Sequence, residues 1–179
     1  MEKIRIGVSR CLLGDNVRYN GGHQRDRFIT DTLSRWCDFV PVCPEVECGL
    51  PIPRETMRLV GTAEEYRLVT GKTGIDHTER METWAARRLE ELKKEDLVAF
   101  IFKTKSPSSG MRAVKVYGPS GSPVSYKGVG LFARAFMARF PDIPVEDEGR
   151  LHDSGLRENF IETIFVLQRW RSDVRDGSV

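Results

Sequence analysis

The sequence predicts an α/β domain, an open doubly wound (Rossmann-like) parallel sheet with helices on both faces and a small β-hairpin excursion. Three observations predict it. Ile4, Ile6 and Val8 alternate with Lys3, Arg5 and Gly7 as a strand does. The run LVAFIF (97–102) is apolar enough for a strand buried on both faces. Stretches with helical spacing of apolar residues lie between such runs, and alternating strands and helices build a parallel sheet covered on both sides.

Taken in order, the first strand ends at Cys11 and empties into CLLGDNVRYNGG, a loop rich in turn residues. Phe28, Ile29, Leu33 and Trp36 then predict a helix over 25–36, followed by a short strand, FVPVC, closed by Cys43. MRLVG and YRLVTG, separated by TAEE, predict a hairpin beside the main sheet. A helix over 78–94 carries Met81, Trp84, Ala85, Leu89 and Leu92 as one stripe, with Arg87, Glu90, Glu91 and Lys94 toward water. LVAFIF follows as the central strand and AVKVYG as a further one, with GPSGSP a turn. A helix over 127–140 is broken by Pro141 and Pro144, and LRENFIETIFVLQRW begins the last helix. This divides the chain into an α/β domain over 1–151 and a C-terminal helix and tail over 152–179.

With 40% hydrophobic and 30% charged residues in 179, the chain reads as one globular unit with no run long enough to span a membrane. The opening MEKIRIGVSR lacks the pattern of a signal peptide, so the expectation is a cytoplasmic protein without a membrane partner. A net charge of +2 supplies no global argument for nucleic acid, which leaves only local basic surfaces.

In open α/β sheets, ligands bind beyond the carboxyl ends of the strands. Three strand ends here run into chemically loaded loops: VSRCLLG, PVCPEVECGLPIPRE and FKTKSPSSG. Cys11 and Cys43, brought together there, suit a soft metal or an iron–sulfur cluster, or serve as small buried hydrophobes. Cys37, at the end of a helix, reads as packing. Glu45, two residues past Cys43 in a loop stiffened by Pro44, Pro51 and Pro53, is the carboxylate best placed to act as a general base, with Glu47 and Glu55 as comparators. KTKSPSSG reads either as an anion-binding turn or as a plain polar turn, and it lacks the phosphate-loop spacing. His23 in VRYNGGH reads either as a plain loop histidine or, with Arg18, as part of a substrate-side loop, and on a nucleic-acid-binding reading Arg18, Lys103, Lys105 and Arg112 would form a basic rim around the same mouth.

VSRCLLGDNVRYNGGH, CPEVECGLPIPRE, KSPSSG and GLFARAFMARFPDIPVEDEGRL together resemble a bacterial family whose characterised members are thiouracil desulfurases. The resemblance runs to about Leu151. RLHDSGLRENFIETIFVLQRW also resembles the junction in longer, two-domain relatives that remove sulfur from 4-thiouridine in transfer RNA. It implies a [4Fe-4S] cluster on three cysteines, two of them matched by Cys11 and Cys43. The third cysteine of the family turn is Ser109 here, which implies a cluster that is absent or labile, unless Cys48 replaces it. It further implies non-redox desulfuration of 2- or 4-thiouracil, or of 4-thiouridine in transfer RNA, with the open iron as Lewis acid. Glu45 would activate water, and Ser106 would serve in proton transfer or substrate orientation. A nucleic-acid-binding module without catalysis and a phosphate-binding domain are the competing readings.

Overall fold

The computed structural model describes residues 3–177. In chain order its elements are β1 (Ile4–Ser9), β2 (Cys37–Val42), α1 (Pro44–Glu47), β3 (Met57–Gly61), β4 (Tyr66–Thr70), α2 (Thr78–Leu92), β5 (Ala99–Phe102), β6 (Val114–Tyr117), β7 (Pro123–Gly128), α3 (Leu131–Arg139), β8 (Val145–Asp147) and α4 (Ser154–Arg175), joined by short 3-10 and π turns. Four strands form an all-parallel sheet in the order β2-β1-β5-β8. This is the parallel sheet expected from the alternation of strands and helices. Pro41 is tolerated within β2 because that strand is an edge.

The period-2 alternation of β5 builds the core on both faces. Phe100 and Phe102, with ring centroids 4.3 Å apart, turn to one side and meet Phe132 and Phe136 of α3, Trp84 of α2 and Leu59 and Val116 of a second sheet. Ala99 and Ile101 turn to the other, with Ile4, Ile6 and Val8 of β1, Ile29, Leu33, and Phe160 and Ile164 of α4. Each fully buried side chain of this kind contributes roughly 1.5–3 kcal/mol, so the sheet is a stiff base for the loops at its edge. Gly7 makes the packing possible: a Cβ there would stand 2.2 Å from the Phe100 ring.

Several expectations are corrected. The hairpin β3–β4 exists, but it belongs to a second four-stranded sheet, β4-β3-β6-β7, in which β3 pairs parallel with β6. AVKVYG is therefore a strand of that sheet and not of the main one. The helix expected over 25–36 is a π turn, Phe28–Thr32, and a 3-10 turn, Leu33–Arg35. Local side chains compete for its backbone: Thr30 Oγ1 donates to Asp26 O at 3.1 Å and Ser34 Oγ to Thr30 O at 2.6 Å. Cys37 opens β2 opposite Ile4, so it begins a strand where a helix end was expected, and Cys43 lies just past that strand. The helix expected from Lys127 starts at Leu131, because Gly128 is still paired with Val114. β8, which begins just after Pro144, was not anticipated. α4 runs from Ser154, where Asp153 caps it by accepting from Leu156 N at 2.9 Å, through Arg175.

Candidate active site

The carboxyl ends of β1, β2 and β5 open into a cavity of about 300 Å³. Each strand delivers one loop to it. After β1 the chain turns through Arg10–Leu13, which drops Leu12 into the core and leaves Cys11 on the cavity wall. After β2, Cys43 precedes the single helical turn α1, whose first residue, Pro44, is preset for a helix start. Glu47 reaches back to accept from Cys43 N at 2.6 Å and pairs with Arg88 Nε at 3.1 Å. After β5 comes the serine turn, with Ser106, Ser108 and Ser109 all on the wall.

The centre of the site is a hydrogen-bonded line of four side chains. Glu45 Oε2 accepts from Arg54 Nε at 2.7 Å and pairs with Arg54 Nη2 at 2.7 Å, and Glu45 Oε1 accepts from Ser108 Oγ at 3.0 Å. Ser108 Oγ lies 3.1 Å from Ser106 Oγ. An ionised carboxylate only accepts, so the Ser108 proton points to Glu45 and the Ser106 proton to Ser108. Arg54 is fixed in turn by donating from Nη2 to Val17 O at 2.9 Å, which ties the Glu45 loop to the first. The side chains of Arg54 and Glu45 are only 7% and 15% exposed.

The serine turn is clamped from behind by α3. Phe132 N and Ala133 N donate to Ser108 O at 2.9 and 3.2 Å, and Leu131 N to Pro107 O at 3.2 Å, so the turn's carbonyls satisfy the otherwise orphaned first amides of the helix. Gly130 allows this approach, since a Cβ there would lie 2.5 Å from Ser108 C. The turn's own amides are spent internally: Ser108 N and Ser109 N donate to Ser106 Oγ at 3.3 and 3.1 Å, and Gly110 N to Ser106 O at 2.7 Å. Such a turn is no open cradle for an anion, which removes the main support for reading it as a phosphate site.

Burial pushes the Cys11 thiol up to about 11, with the nearby Lys103 pulling the other way, and burial raises Cys43 as well. Both are therefore neutral thiols at pH 7. The Lys103 ammonium is engaged by the buried carboxylate of Glu148, whose other oxygen accepts from Thr104 N at 2.8 Å.

Of the residues singled out in the sequence, Cys11, Cys43, Ser109, Glu45, Ser106, Arg18, Lys103 and Lys105 all line this one cavity. His23 does not. It is exposed, and its Nδ1 accepts from Arg25 N at 3.0 Å within its own loop. Arg112 is exposed and off the wall. Cys37 packs in the core against the opposite face of the sheet, and Cys48 places its Sγ 3.3 Å from Glu45 O, also off the cavity wall. Arg54 and Ser108 were missed. The one signal for Arg54 is its place at the end of the proline-stiffened PIPR segment.

A parallel sheet with thiols, a carboxylate and a serine line gathered at its carboxyl edge defines an α/β domain whose candidate site is a strand-end crevice. The 2-thiouracil desulfurase family matches residues 6–148, and the chain belongs to that family. It is 34% identical over 129 residues to the uncharacterized protein YbbK of Bacillus subtilis (strain 168), covering 69% of this chain and 85% of that protein. Among solved structures it is similar to the [4Fe-4S]-dependent thiouracil desulfidase TudS, with a TM-score of 0.67, 29% identity, and coverage of 88% of this chain and 99% of the other.

A [4Fe-4S] cluster would find only two thiols on the cavity wall, Cys11 and Cys43, with the Ser109 hydroxyl beside them, and among the described residues no three His, Cys, Asp or Glu side chains gather as a metal site. Thiolates are the usual cluster ligands, and a serine alkoxide is hard and strongly basic. A three-thiolate site is therefore one sulfur short, and this chain as it stands does not fit the group.

Proposed function

We propose that the cavity takes a thiolated uracil, as free base, as nucleoside or within transfer RNA, and that the chain exchanges its sulfur for oxygen by hydrolysis. The observation that carries this reading is the linkage of Glu45 to Ser106 through Ser108, beside Cys11, Cys43 and Ser109, in a chain of the 2-thiouracil desulfurase family. The chemistry asks for little beyond positioning. Water adds to the thiocarbonyl carbon as Glu45 takes its proton, the C–S bond breaks, and the sulfur leaves with a proton as hydrosulfide or hydrogen sulfide. No electrons change hands, since a C=S carbon and water become a C=O carbon and hydrogen sulfide.

Each residue has a defined task in this scheme. Arg54 holds one oxygen of Glu45 and leaves the Ser108 side as the route for protons. Ser106, fixed by two amides, orients the ring or relays a proton toward Ser108. The neutral thiols of Cys11 and Cys43 offer S–H donors and polarisable contacts to the departing sulfur. A [4Fe-4S] cluster is held weakly or not at all until a thiol stands at position 109.

Sulfide release from 2-thiouracil, 4-thiouracil and 4-thiouridine, measured anaerobically for this chain and for Ser109→Cys, tests the activity. Release by either protein that depends on Glu45 supports the reading. The reading is lost when neither releases sulfide from any of the three.

A further inference from the structure

Val166, Trp170 and Val174 of α4 are 66%, 57% and 47% exposed. They recur every fourth residue, each step turning only about 40° around the helix, so the three form one apolar ridge about 12 Å long. The other flank of α4 already serves the core: Phe160 and Ile164 are buried against residues of β1 and β5, with Ile161, Phe165 and Leu167 packed beside them. The ridge is therefore apolar surface that the fold of one chain does not use. It also lies beyond residues 6–148, the stretch matched by the desulfurase family.

The charges of α4 divide in the same way. Arg171 and Arg175 pair with Asp96 at 3.4 and 3.2 Å, and Arg171 Nη1 also donates to Leu97 O at 2.8 Å. Arg169 and Asp173, in contrast, form no ion pair among the described residues. Both stand on the same side of the ridge, about 100° and 60° around the helix from Trp170.

This order is self-complementary about Trp170. A two-fold axis there sets a second α4 antiparallel, Val166 of each copy against Val174 of the other and the two Trp170 rings face to face. It also brings Arg169 of each copy to the same side as Asp173 of the other, offset by about 3 Å along the axis. A parallel second helix would leave these charges on opposite sides of the seam. We infer that α4 is the interface of a homodimer, two copies packed antiparallel along this ridge and flanked by two Arg169–Asp173 pairs between chains. An isologous contact requires such self-complementarity, and a central tryptophan with charges at the rim is the composition of an interface. Asp96 and Leu97, which hold this end of α4, lie just ahead of β5, at the amino edge of the sheet, so a copy docked here leaves each strand-end cavity open. The seam is short beside the roughly 800 Å² per partner of a standard interface, so the dimer is expected to dissociate in the micromolar range.

Sedimentation velocity of the chain, over a series from micromolar to submillimolar and at low and high salt, reads this equilibrium without any turnover. The parent should pass from monomer to dimer, less readily in high salt. Trp170→Ala should raise the dissociation constant about thirtyfold or more, as truncation of a central anchor does. Arg169→Asp alone and Asp173→Arg alone each set like charges together twice, and each should weaken the dimer about tenfold. The double variant, Arg169→Asp with Asp173→Arg, should return to within about threefold of the parent, a rescue that unspecific apolar sticking would not give. None of these side chains belongs to the buried core, so thermal unfolding of the variants at monomer concentrations should match the parent. A parent that stays monomeric throughout the series overturns the inference, and so does a dimer that Trp170→Ala leaves intact. A dimer indifferent to the single charge changes, or not restored by the double swap, overturns the antiparallel seam.

Discussion

Arg54 and Glu45 form a nearly buried ion pair, Nε to Oε2 at 2.7 Å, in which the guanidinium occupies one carboxylate oxygen and leaves the other facing Ser108. The pair decides which way Glu45 can act. Arg54→Ala would strand a largely buried carboxylate and loosen the three-loop junction at Val17, at a cost of about 3 kcal/mol. Thermal or denaturant unfolding should show that loss, and Arg54→Lys should recover only part of it because a point charge cannot replace the planar fork. A variant as stable as the parent would mean that the pair is incidental.

Glu45 and Glu47 separate by role although both sit in α1. In a Ser109→Cys background, Glu45→Gln should lower sulfide release roughly a hundredfold or more, the scale of a lost general base. Glu47→Gln still offers an oxygen to Cys43 N and forfeits only the Arg88 pair, so release should change little. Similar losses in the two would show that local acidity, and not the serine-linked carboxylate, sets the rate.

Restoring the sulfur should restore the metal. Ser109→Cys, reconstituted anaerobically with iron and sulfide, is expected to bind about four irons per chain with the visible absorbance of a cluster. The parent, with two thiols, should bind little and lose it in air. Stoichiometric, air-stable iron in the parent would show that the Ser109 hydroxyl serves as a ligand after all.

The thiols give a pH test that is independent of activity. Burial raises both Cys11 and Cys37 from 9.0 to about 11. At pH 7.5 their thiolate fraction is about a hundredfold below that of an ordinary thiol, so iodoacetamide mapped by mass spectrometry should label both slowly. The sign for stability follows from which state ionises first. The unfolded chain loses these protons near pH 9 and the folded chain near 11, so stability is full below about 9 and falls as pH rises through 11. Stability that stays flat to pH 11 would contradict the burial of these groups.

Gly130→Ala tests the clamp behind the serine turn. The added methyl would meet the Ser108 carbonyl carbon at 2.5 Å, and backbone cannot swing aside as a side chain can. The variant should unfold about 2 kcal/mol more easily, the scale of overpacking. Hydrogen exchange should speed up at Phe132 and Ala133, whose amides lose the Ser108 carbonyl.

Much of this was legible in the chain itself because periodicity is a local property. The alternation of Ile4, Ile6 and Val8 and the unbroken run around Phe100 specify strands wherever they end up, and two strands in parallel force their carboxyl ends, with Cys11 and Cys43, onto one edge. Glu45 could be named because it follows the end of β2 closely, whereas Ser106 is named only by the resemblance of its turn to that of the desulfurase family. Where side-chain hydrogen bonds compete with backbone ones, as at Thr30 and Ser34, the same periodicity overstates the helix.

The sequence alone thus determined the parallel sheet, the edge that carries the site and several of the side chains on its wall. Only the tertiary structure decided which of them meet. Ser108 lies 63 positions from the Glu45 carboxylate it touches, and His23 turns its ring nitrogen to its own loop although it follows the Cys11 segment directly. The hairpin's partner in the second sheet, β6, was settled in the same way. The physical reason is that burial of one apolar face is written residue by residue, whereas a contact between loops forms only if the hydrogen bonds and charge it satisfies outweigh the chain entropy of closing them, and that balance depends on everything packed around it.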